Sequence, residues 1–153
     1  MASEHAFLRQ RLALVEHRLA ERHRDSILSD TTRVRRLGRH VGHHDLTYKR
    51  EARLLRKLLA RTREGQVLTA LKVWRRHLGI YLREHRQQYK EMQDAYDAWW
   101  RLPRDERGRV PKPPKPPSAR YTDVGGTVWI IDDRFLTLLD DLMQRLQKWL
   151  IEE

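Results

Sequence analysis

The chain has 153 residues and a formal net charge of +11, with 39% hydrophobic and 35% charged residues and no cysteine. That length fits one domain, and a charged share above the usual level of about 25% suits helices that each bury a single stripe. Disulfides and thiolate chemistry are excluded, no apolar run approaches the roughly 18 residues of a membrane span, and Met1–His5 lacks the basic-then-apolar order of a signal peptide.

In chain order, Ser3 reads as the N-cap of a first helix over about residues 4–26, with Glu4 at the positive end of its dipole. Leu8, Leu12, Val15 and Leu19 recur at helical spacing and give it one apolar face. Ser29-Asp30-Thr31-Thr32 is a cluster of capping residues from which a second helix, over 31–63, can start. Val34, Val41, Tyr48 and Leu55 centre its inner stripe, and the common phase before Gly38 and after Asp45 favours continuity, with a local kink as the alternative. Gly65 marks the turn. A third helix follows over 67–101, with Leu71, Trp74, Leu78 and Tyr81 inward, and Pro103 stops it.

All six prolines fall between 103 and 117, and Val110 to Pro117 reads VPKPPKPP. Such a run favours polyproline II and predicts a linker over 103–118. Tyr121–Val124 and Thr127–Ile131, around Gly125-Gly126, predict a small β-hairpin. Asp132 or Asp133 then caps an acidic last helix whose apolar face is Phe135, Leu139, Leu142, Leu146 and Trp149. The expected fold is mainly α: a long antiparallel helical hairpin or bundle (1–102), a Pro-rich strap (103–118), and a β-hairpin with a C-terminal helix (119–153).

Charge is unevenly placed. Residues 1–91 carry 22 Lys/Arg and 10 Asp/Glu, whereas 92–153 carry 10 and 11. Opposite the inner stripe of the second helix stand Arg36, Arg39, Arg50, Arg53 and Lys57. Opposite that of the third stand Lys72, Arg76, Arg83, Arg86 and Lys90, with no acid between the ends of either row. Such rows repel themselves, and phosphate oxygens relieve the repulsion while counterions are released. A solvated charged face, or a face that meets an acidic protein, is the competing reading.

His40 and His44 share a face at i,i+4, as two metal ligands would, but no cysteine is present and arginines surround them. No metal and no cofactor are expected. Gly38 and Gly42 have the small-xxx-small spacing, which is weak outside membranes. Trp74 and Tyr81 fall on the inner stripe and read as core. Trp99 and Trp100 point about 100° apart on a helix, so one of them is expected to meet the Pro-rich segment, the last helix or another subunit. Trp99, Trp100, Trp129 and Trp149 are the candidate partner contacts. The PxxP spacing of Pro111, Pro114 and Pro117 suits an SH3-type groove, though a stiff spacer is the preferred reading.

The chain carries no Gly-rich phosphate loop, nucleophile elbow or zinc-protease motif, so no enzyme is expected. The leading expectation is a non-catalytic nucleic-acid-binding subunit of a larger complex, holding DNA or RNA phosphates with little sequence preference. The alternative is a structural assembly protein, of a virion or another multi-subunit particle, whose helices and C-terminal segment join subunits. Either reading implies an oligomer or complex subunit in the cytoplasm (or a virion), without a membrane.

Overall fold

A computed structural model describes residues 3–28 and 47–152. Among them the chain is mainly helical: α1 (Glu4–Leu28), α2 (within 47–61), α3 (Val67–Gln88), α4 (Lys90–Arg101), α5 (Arg104–Arg107) and α6 (Asp133–Glu152), with strands β1 (Ala119–Thr122) and β2 (Val128–Ile131) between α5 and α6. Part of the expected second helix, with Arg36, Arg39, Gly38, Gly42 and His40, His43 and His44, lies outside the described residues. No described helix is long and apolar enough to cross a membrane. The chain divides into two compact units, Met1–Arg75 with Arg134–Glu153, and Arg76–Asp133. The division between these units falls inside α3.

In the first unit the apolar stripes are the buried faces. Leu8 and Val15 of α1, Leu54 and Leu55 of α2, Leu71 of α3, and Phe135, Leu139, Leu142 and Leu146 of α6 are each almost wholly buried. Each such side chain stabilises the fold by about 1.5–3 kcal/mol relative to its exposure. Phe7 meets Trp149 at 5.9 Å between ring centroids, and Trp74 meets Phe135 edge-on at 5.8 Å. Arg11 Nε donates to the buried Glu51 carboxylate at 2.5 Å, and Arg56 reaches Glu16 at 2.8 Å, so α1 and α2 are tied on two levels.

The starts of α1 and α3 are capped by each other's neighbourhood. Ser3 Oγ accepts from Ala6 N at 3.1 Å, as an N-cap should. Glu64, in the turn before α3, accepts from the amides of Glu4 (2.5 Å) and His5 (2.8 Å). In return Glu4, 4% exposed, accepts from the amides of Val67 (3.1 Å) and Leu68 (2.8 Å). The carboxylate expected to serve its own helix dipole instead serves that of α3. Gly65, with φ 86°, sits at the third position of the Arg63–Gln66 turn, where a left-handed residue is required. Trp149 Nε1 donates to Ser3 O at 3.1 Å, and His5 Nε2 donates to Thr62 O at 2.7 Å.

The expected helix over 67–101 is two helices. Tyr89, with φ −107° and ψ 18°, leaves the helical basin between α3 and α4, and no side chain caps the new start. Beyond Pro103, the single turn of α5 precedes residues 111–118, which form no regular element, as the prolines dictate.

The hairpin is antiparallel, pairing Ala119 with Ile131 and Tyr121 with Trp129. Ala119, Trp129 and Ile131 are buried, while Arg120, Val128 and Ile130 face outward, the period-two alternation of a one-sided ribbon. The strands end earlier than Tyr121–Val124 predicts, because Asp123 is a turn residue. Its Oδ1 accepts from Thr127 N at 3.0 Å and its Oδ2 from Trp129 Nε1 at 2.9 Å. Of the two turn glycines only Gly126, with φ 83°, is left-handed, following a turn in which Gly126 N donates to Asp123 O.

Candidate nucleic-acid interface

A row of exposed cations is built on α3. Its buried row is Val67, Leu71, Leu78 and Leu82. At about 100° per residue Lys72, Arg83 and Arg76 lie about 110–150° from the centre of that row, and Arg86 on its flank at about 70°. Lys90 continues the cations after the break at Tyr89, and the exposed Val73 and Ile80 stand beside them on the far side. All five cations are exposed. From Arg76 to Lys90 the row extends about 20 Å at about 1.5 Å per residue. Arg76, Arg83, Arg86 and Lys90 all belong to the Arg76–Asp133 unit.

Partners decide which of these charges is available. Lys72, Arg76, Arg83 and Lys90 have no ion pair or hydrogen bond among the described residues. Arg86 donates to Asp133 Oδ2 at 2.7 Å. That hydrogen bond from Arg86, together with its charge, holds the Asp133 carboxyl below the ordinary aspartate value against the opposing effect of burial. Both partners are largely in water, where such pairs contribute about 0–1 kcal/mol.

The row expected on α2 fares differently. Arg36 and Arg39 are outside the described residues. Arg50 is half-buried and lies over the Phe135 ring at 5.9 Å. Arg53 and Lys57 also make contacts within the chain. Of the predicted cations, Lys72, Arg76, Arg83 and Lys90, on α3 and its continuation, stand unengaged among the described residues.

The tryptophans also separate. Trp129 is 1% exposed and hydrogen-bonded to Asp123, so its ring is part of the core. Trp149 is half-buried and tied to Ser3. Trp99 Nε1 donates to Val110 O at 3.0 Å, a contact with the Pro-rich segment that was one of the three expected for the adjacent tryptophans. Trp100 remains 47% exposed.

Sequence reasoning missed the ties of β1 to α3. Tyr81 Oη donates to Arg120 O, and Tyr121 meets the rings of His77 at 5.3 Å and Tyr81 at 5.4 Å. These hold the inner side of α3, while Arg76 and Arg83 remain exposed. Among the described residues no cluster of three or more His, Asp or Glu could hold a metal ion. Comparison with protein-family models, with characterised proteins and with solved structures finds no match for this chain.

Proposed function

We propose that the chain is a non-catalytic nucleic-acid-binding subunit that lays the outer side of α3 along a phosphate backbone. The observation that supports this reading is the unengaged row Arg76, Arg83 and Lys90, exposed and without a carboxylate partner among the described residues. Guanidinium groups in that state take phosphate oxygens in forked hydrogen bonds, and each contact releases condensed counterions. Arg86 adds a fourth contact when its exposed pair with Asp133 opens. Cations set on phosphates read no base edges, so binding is independent of sequence.

The test is a gel-shift series with a generic duplex and a generic RNA across salt concentrations. Three to four phosphate contacts give a log–log salt slope of about −2.7 to −3.6 on a duplex. Arg76→Gln with Arg83→Gln should reduce the slope by about 1.8, and Arg76→Glu with Arg83→Glu should abolish binding with circular dichroism unchanged. Absence of binding at low salt, or a slope untouched by the double substitution, overturns the proposal.

A further inference from the structure

On α4, Tyr96, Trp99 and Trp100 stand at i, i+3 and i+4, so the helix gathers three aromatic side chains on one side. Lys112 Nζ lies over all three rings, 5.8 Å from the Tyr96 centroid, 5.5 Å from Trp99 and 5.0 Å from Trp100. Arg107 lies over Trp100 as well, at 5.4 Å. The Trp99–Val110 hydrogen bond holds the chain two residues before Lys112, and Pro111 and Pro113 fix φ on either side of it. All these residues belong to the Arg76–Asp133 unit.

We propose that Tyr96, Trp99 and Trp100 form a binding site for a quaternary ammonium group, which Lys112 occupies in the free chain. Three ring faces converging on one cation are the geometry by which such groups are recognised. Lys112 is the weaker occupant for a physical reason. Its primary ammonium is a strongly hydrated point charge with three N–H donors, which ring faces satisfy poorly. Among the described residues it has no hydrogen bond or ion pair, so the rings alone hold it, and it is exposed. A quaternary ammonium has no N–H to satisfy, gives up less hydration and packs its methyl groups on the rings.

The experiment follows the indole N–H resonances of the whole chain while tetramethylammonium chloride is added, against sodium chloride at equal ionic strength. Trp99 and Trp100 should shift saturably while Trp74, Trp129 and Trp149 do not, with the Trp129 resonance reporting that each variant is folded. Lys112→Ala should tighten binding about two- to fivefold, the factor set by an exposed cation–π contact. Lys112→Arg should bind no tighter than the native chain, and Trp100→Ala should lose saturation. Choline and trimethyllysine then compete as alternative sources of the same group, and the one that saturates at lower concentration identifies the ligand. Unsaturable Trp99 and Trp100 shifts, or an affinity indifferent to Lys112→Ala, overturn the proposal.

Discussion

Removing the Glu4 carboxylate should cost far more than removing that of Glu64, although each accepts two amides at a helix start. Glu4 is 4% exposed and its acceptors' donors, Val67 N and Leu68 N, lie in buried or partly buried surroundings. Glu64 is about half exposed, so water replaces it at the amides of Glu4 and His5. Losing an N-cap costs about 0.5–2 kcal/mol, and each buried donor left without an acceptor about 1–3 kcal/mol. With some relaxation Glu4→Ala should lose about 2–4 kcal/mol and Glu64→Ala about 0.5–1 kcal/mol. Glu4→Gln, which keeps one acceptor oxygen, should fall between them. Urea titration followed by circular dichroism reads the differences as midpoint shifts at constant slope. A Glu4→Ala loss under 1 kcal/mol, or a Glu64→Ala loss equal to it, would refute burial as the deciding factor.

Acid should weaken the fold through Glu64. Burial acts to raise its carboxyl, but the amides of His5 and Glu4 and the Ser3 hydroxyl outweigh that and hold it below the ordinary glutamate value of 4.5. The unfolded chain therefore binds its proton first, so the contribution is complete above about pH 4.5 and fades as pH falls through the lower folded value. The stability gap between the native chain and Glu64→Gln, measured by denaturation from pH 7 to pH 3, should close across that window. Glu51, 2% exposed against Arg11, should tolerate loss poorly: Glu51→Ala should cost about 3–5 kcal/mol, and joint replacement by Arg11→Met and Glu51→Leu should recover most of it in thermal melts. Asp123→Ala should cost about 1–3 kcal/mol and displace the Trp129 indole resonance, whereas Asp123→Asn, which keeps an acceptor, should do neither fully.

What was legible in the sequence was periodic. Leu8 and Val15, Leu71 and Leu78, and the run from Phe135 to Leu146 announce their helices because one apolar stripe at a 3.6-residue period has few other uses. The hairpin was legible from its glycines, but its ends were not, since Asp123 acts through side-chain hydrogen bonds that leave no period. The break at Tyr89 also lacks a signal, because no glycine, proline or capping residue stands there. The outer row of α3 is exposed, and the pairing of Arg86 with Asp133 joins positions 47 apart, which linear spacing cannot reveal. The same holds for Lys112, whose meeting with Tyr96 and Trp100 requires the chain to turn back through the prolines.

The exchange of carboxylates between Glu4 and Glu64 has a consequence for folding. Neither helix start can be completed by its own neighbourhood, because each borrows an acceptor some sixty positions away. The clasp therefore forms only when segments some sixty positions apart meet, a non-local closure whose entropy must be met before the amides gain their acceptors. An isolated peptide of residues 1–28 should consequently fray at the end that looks best capped when read alone.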